Sequence, residues 1–271
     1  MNSTPFNRIL IGFAFSPNLK ANVFEAMRLA EFLGAHLYFL HVGSKSPAKA
    51  KAFTEILEES PVQPKDFTVL WDEGTPIETI SEQCEKNQID LLLLGAMQRE
   101  NMVKFYMGSI ARKLTRNAPC SVLLMIKPSV VRKPSQHVVV NAFESPGTEN
   151  TIRAAFHFAQ ALSASKLTLV EEIDRSEVAE EADDDRGLRK VTLRKEKLKR
   201  RELSRVREIL THIPDTLKEN IKIHSQSIFG TRGYSIGHYA KVIRADLLIM
   251  NSDEKRKRFL ERIFPKDLEH I

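Results

Sequence analysis

The sequence predicts an α/β protein built of two doubly wound parallel-sheet domains in tandem. Three observations predict it. Short apolar runs of strand length alternate with segments of helical periodicity along the 271 residues. The runs are near-continuous rather than alternating, as expected of strands covered on both faces. The pattern is also duplicated. Gly74-Thr75 lies 16 positions before Asp90 (90 − 74), Gly230-Thr231 lies 16 before Asp246 (246 − 230), and each Asp opens an apolar run. Right-handed crossovers between such strands give the wound topology.

The elements follow in order. Residues 9–13 form a short apolar strand. Residues 21–34 repeat Val23, Ala26, Met27, Leu29, Ala30 and Leu33 at helical spacing, and Gly34 is a natural stop. Strands are expected at 36–42, 67–71, 89–94 and 120–126, and helices at 47–59, 76–87 and 109–116. Pro76 suits a first helical turn. The stretch 127–136, with Pro128, Pro134 and several basic residues, reads as a linker. Beyond it come strands at 138–140, 166–171, 221–225 and 246–250, and helices at 151–162 and 234–243. The domains are therefore expected at 1–127 and 136–271, the second carrying a long charged insertion at 171–213 and no fifth strand.

Composition sets the class. Hydrophobic residues make up 42% and charged residues 28%, a globular balance rather than disorder. Cys84 and Cys120 are the two cysteines and neither sits in a CxxC pair, so no disulfide framework or zinc site is expected, and reduced thiols fit a cytoplasmic location. The apolar run at 9–15 is too short for a secretory segment, and no run approaches the roughly 20 residues of a membrane helix. The net charge of +6 permits anionic contacts without requiring them.

Open α/β sheets bind ligands at the carboxyl ends of their strands. The loop after the fourth strand reads Gly95-Ala-Met-Gln98, then nine residues, then Gly108-Ser109. A glycine leaving a strand lets backbone N–H groups approach a phosphate. A Gly-Ser step opening a helix presents N–H groups and the positive dipole end to an anion. Ser109 can donate to a phosphate or cap the helix.

This loop resembles the G-x2-G-x9-G-[ST] pattern of the universal stress protein family. The resemblance extends to the first strand ending in Ala14-Phe-Ser16, the pair His41-Val42 closing the second strand, Asp90 opening the fourth, and Ala118-Pro-Cys-Ser-Val-Leu-Leu124. It covers 7–127 and, more loosely, 136–271. It implies a Rossmann-like domain of the adenine nucleotide alpha hydrolase type. It also implies a regulatory or sensing role exercised by binding, with ATP or AMP in the first domain. Val42 would contact the base through its backbone, and Gly95, Gln98, Gly108 and Ser109 the phosphates. Two positions depart from the pattern: Ala14 stands where the family has Asp, and Gln98 where it has Gly.

In the second copy the pattern is lost. Phe143 takes the Asp position, Glu171-Glu172 replaces His-Val, and the loop reads Asn251-Ser-Asp-Glu-Lys-Arg-Lys-Arg258, with Phe264-Pro265 in place of Gly-Ser. Asp253 and Glu254 would repel phosphate, so this copy is expected to be a structural partner. Residues 171–185 hold nine acids against Arg175, and 186–207 hold eleven bases against Glu196 and Glu202. The basic stretch reads as an amphipathic helix with Leu188, Val191, Leu198, Leu203, Val206, Ile209 and Leu210 on one side. Without interleaved aromatics it lacks the stacking platforms of single-strand binders, so nucleic acid is not expected.

No HExxH, no G-x-S-x-G and no Walker lysine occurs. Neither a metal nor a catalytic residue is predicted, and hydrolysis would need a nucleophile or base that the sequence does not supply. The rival expectation is a protein that binds no nucleotide and docks an acidic partner or nucleic acid through 186–207. The apolar fifth strand at 120–126 is an exposed-edge liability, so a homodimer through that edge is expected.

Overall fold

The computed structural model describes residues 5–95, 108–178, 185–231 and 233–251. The chain divides into two compact units, 1–133 and 134–271.

The first unit winds β1 (Arg8–Phe13), α1 (Leu19–Leu33), β2 (His36–Val42), α2 (Pro47–Glu58), β3 (Phe67–Asp72), α3 (Pro76–Lys86), β4 (Leu91–Gly95), α4 (Ser109–Asn117) and β5 (Ser121–Met125). Its five strands lie in the order β3-β2-β1-β4-β5, and every pair is parallel. Ile9, Leu10, Ile11, Leu37, Leu92 and Leu93 are fully buried, which explains why these strands read as unbroken apolar runs. Local chemistry sets the helix ends. Ser46 accepts from Lys49 N–H at 3.2 Å at the start of α2, with Pro47 in the first turn. Gly34 closes α1 in the left-handed conformation, at φ 63°.

The second unit winds β6 (His137–Asn141), α5 (Thr148–Ala161), β7 (Lys166–Asp174), a 3-10 turn at Arg175–Glu177, α6 (Asp185–Thr211), α7 (Asp215–Lys218), β8 (Lys222–Gly230), α8 (Tyr234–Val242) and β9 (Leu247–Ile249). The order is β8-β7-β6-β9, again all parallel, which is the order of β3-β2-β1-β4. Val138 and Val140 face the side packed by Phe156 of α5 and Val206 of α6, while Val139 faces Ile236 of α8. The strand period of two thus divides one valine run between two layers.

The duplication is chemical as well as topological. Asp90 accepts the N–H groups of Asn7 and Arg8 at 2.9 and 3.0 Å, joining the start of β4 to the start of β1. Asp246 accepts those of Gln136 and His137 at 2.8 and 3.0 Å, doing the same for β9 and β6. A Cβ at Gly74 would come within 2.7 Å of Thr79 Oγ1, and one at Gly230 within 1.9 Å of Ser235 Oγ. Each glycine lies under a hydroxyl of the following helix, so the spacing that marks the repeat in sequence reflects shared packing.

Two expectations need correction. β7 continues past Glu171 to Asp174, and β8 past Ser225 to Gly230, because their ladder runs in register to Asp174 and Gly230. The side of α6 assigned to the core joins the buried core cluster only in its C-terminal half. Val206 is fully buried with Ile209 and Leu210 beside it, but Leu188 is exposed, since the helix outruns the sheet it covers.

Candidate functional site

In the first unit the strand order reverses between β1 and β4, and the crevice at their carboxyl ends is where such sheets bind ligands. Gly95 ends β4 there. A Cβ on it would meet Asn22 Oδ1 at 2.8 Å, so only glycine lets the α1 side chain reach this backbone. Asn22 Oδ1 is buried and has no hydrogen-bond partner among the described residues. Val42 ends β2, half-buried and paired with Asp72 of β3.

α4 returns from the crevice. Gly108 is its N-cap and Ser109 its first helical residue, exposed. Ser109 is therefore not the cap, and among the described residues no side chain caps this end of the helix. Among the described residues nothing accepts from the backbone N–H groups of the first turn. Gln98 lies outside the described residues, as does the loop 96–107 that carries it.

An aromatic cluster at the same end of the sheet escaped sequence analysis. Phe13 stacks on Phe53 with centroids 4.1 Å apart. Trp71 lies edge-on to Phe13 and His41 at 6.1 and 5.0 Å and near-parallel to Phe15 at 6.4 Å. His41 is buried, and its Nδ1 is 3.1 Å from the Phe13 carbonyl oxygen, which ties β2 to β1. Phe15 stands exposed on top. Phe13 and Phe15 flank Ala14, and the one tryptophan of the chain closes β3; that spacing was the available signal.

The second unit fills the corresponding places with its own side chains. Glu172, the counterpart of Val42, is buried, and its carboxylate accepts Gly233 N–H at 2.9 Å and Ile236 N–H at 2.8 Å at the start of α8. A carboxylate thus occupies the anion position of that helix terminus. Glu171 is also buried. Arg205 of α6 donates to it at 2.6 Å, to Glu202 at 3.0 Å and to the Ala142 carbonyl at the end of β6. Burial pushes the Glu171 carboxyl up to about 9, aided by a hydrogen bond shared with Glu202 and opposed by Arg205. Burial opposes ionisation of Glu202 too, but hydrogen bonds with Glu171, Arg201 and Arg205 hold it below the usual carboxylate range.

Asn251, standing where β4 has Gly95, donates to Ser145 Oγ at 2.6 Å, and a Cβ on Gly147 would lie 2.6 Å from its amide nitrogen. At this position the first unit has a glycine met by Asn22 from within α1, and the second has an asparagine that meets Gly147 at the start of α5. Asp253, Glu254, Phe264 and Pro265 lie outside the described residues. Glu171 and Glu172, counted in sequence among the nine acids of 171–185, are among the most buried acids described in this unit, because β7 carries them under α6 and against α8.

Packing also joins the two cysteines. Cys84 of α3 is buried and shares a hydrogen bond with Cys120, which raises the Cys84 thiol and lowers that of Cys120. Among the described residues there is no cluster of three metal-ligating side chains, and no helix is long and apolar enough to cross a membrane.

Residues 45–125 match the model of the Universal stress protein family. Universal stress protein MJ0531 of Methanocaldococcus jannaschii is 26% identical over 123 residues, covering 38% of this chain and 72% of that protein. The crystal structure of a universal stress protein from Archaeoglobus fulgidus superposes with a TM-score of 0.60 at 15% identity, over 95% of this chain and 90% of that one. A putative universal stress protein from Pseudomonas aeruginosa gives 0.62 at 14% identity, over 93% and 85%. At such identities the structures speak for the fold alone, and the sequence matches show similarity within the first unit. Residues 45–125 of the first unit are thus similar in sequence to the universal stress protein family, and each of the two units carries a Rossmann-like parallel sheet.

Proposed function

We propose that the protein is a regulatory or sensing protein that acts by binding rather than by catalysis, and that it takes one adenine nucleotide, ATP or AMP, in the first unit. The observation that carries this reading is the pairing of Gly95 with Asn22, whose buried amide oxygen is left without a partner among the described residues. Such an acceptor can receive a ribose hydroxyl, a role otherwise vacated by Ala14. Gly108 and Ser109 bring the uncapped start of α4 to the phosphates. Gln98 can donate to them from the intervening loop. The backbone of Val42 and the ring of Trp71 suit the base.

The residues therefore fit a nucleotide at its base and phosphate ends. The bound nucleotide would supply charge and a signal, while the chain supplies the cradle and keeps it selective. In the second unit Glu172 and Asn251 hold the matching positions, so that copy is a structural partner. Assembly as a homodimer through β5 belongs to the same proposal.

Isothermal titration with ATP and with AMP tests it. Wild type should give one site per chain. Gly108→Asp sets a carboxylate against the phosphates and should abolish the heat. Unchanged affinity in that variant overturns the placement, and steady phosphate release from ATP by the wild type overturns the non-catalytic reading.

A further inference from the structure

The second unit offers a cavity of different chemistry. It is a cleft of about 350 Å³ in the second unit, lined by Arg175 and Val178 after β7, Val191 and Lys195 of α6, and Phe229 of β8. Lys195 and Lys199 hold their ammonium groups 5.7 and 5.5 Å from the centre of the Phe229 ring. Val191, Lys195 and Lys199 succeed one another at i, i+4 and i+8, so they form one stripe of α6.

Arg175, Lys195 and Lys199 make no ion pair with a carboxylate among the described residues. The carboxylates that could have served are engaged elsewhere: Glu196 with Arg200 at 3.9 Å, Glu202 with Arg201 at 2.6 Å, and Glu177 with Arg201 at 4.0 Å. Three cations without a carboxylate partner among the described residues thus stand around two valines and a phenylalanine. Charge that serves only solubility points into water from a helix's outer face, as Lys190 and Lys197 do on the opposite side of α6.

We infer that this cleft is a binding site for a small aromatic anion, an aryl carboxylate or sulfonate. The volume sits at the lower end of the range for small-molecule sites, roughly 300–1,000 Å³, enough for one or two fused rings and an acid group. Val178, Val191 and Phe229 bury the ring. The planar guanidinium of Arg175 matches a carboxylate in two-point fashion, and the two lysines complete the charge. A nucleic-acid backbone would follow an open ridge, whereas this is a recess with an apolar floor.

The test is fluorescence titration of the full chain with 8-anilinonaphthalene-1-sulfonate, displaced by 1-naphthoate. A saturable component should appear and be displaced. It should weaken at least tenfold in Lys195→Glu/Lys199→Glu and in Arg175→Ala, whose exposed side chains carry no core packing. In Lys190→Glu/Lys197→Glu, equal in charge change but off the cleft, it should stay within twofold. Equal weakening in both double variants would show an effect of net charge alone and overturn the site, as would no weakening in either. Residues 179–184 follow Val178 and include Glu180, Glu181, Asp183 and Asp184. If neutralising these four to their amides raises probe affinity more than tenfold, the cleft serves the chain's own acidic segment and the proposal is overturned; a change within twofold supports it.

Discussion

Single residues set the two units apart at the carboxyl ends of their strands. At the end of β4 a glycine admits Asn22, and at the end of β9 an asparagine reaches back to Ser145. Glu172 and Glu171 are the other half of that difference, and they have a measurable signature. Glu171 is 2% exposed and holds its proton up to about 9, against an ordinary value of 4.5. Between those values the native protein binds a proton that the unfolded chain releases, so stability falls as pH rises from about 4.5 towards 9. The slope for this one proton is at most about 1.4 kcal/mol per pH unit. Urea unfolding of the second unit across pH 5–9 should show that decline, and Glu171→Gln, which keeps the hydrogen-bonding shape without the ionisation, should flatten it. A wild-type profile that rises with pH over this window, or an unchanged slope in the variant, would show that Arg205 keeps Glu171 ionised.

Among elements, what was legible in the sequence follows from periodicity. β2 is bounded at His36 and Val42 by its apolar run, and α3 opens at Pro76, because those signals are local. The Gly74–Asp90 and Gly230–Asp246 spacings located the repeat because each glycine and each Asp is fixed by a contact that both units keep. Gly95, Val42, Gly108 and Ser109 could be named as candidates from a motif alone. What was not legible depends on packing between distant segments. Nothing near Glu171 in sequence announces that Arg205, 34 residues on, will bond to it. The aromatic cluster, likewise, draws Phe13, Phe53 and Trp71 from three different elements.

β5 raises an element-scale prediction of its own. It is the edge of the first sheet among the described residues, and an edge strand's free row of backbone groups invites another strand. The segment after it turns back to α1, where Arg28 donates to the carbonyls of Ser129 and Val130, and Ser129 N–H donates to Glu25. We expect sedimentation equilibrium at micromolar concentration to give a dimer of the 30.9 kDa chain, and Leu124→Lys to shift it to monomer. A wild-type monomer excludes the dimer, and a dimeric Leu124→Lys excludes this edge as its interface.

For the whole molecule, the central claim is asymmetry: one fold used twice, with a nucleotide in the first copy and side chains in the second. Native mass spectrometry of the full chain, with ATP added to the spray solution, tests this most directly because it counts ligands per chain. The account predicts a mass increment of a single nucleotide per chain, absent from Gly108→Asp. No adduct at millimolar ATP, or two per chain, would contradict it.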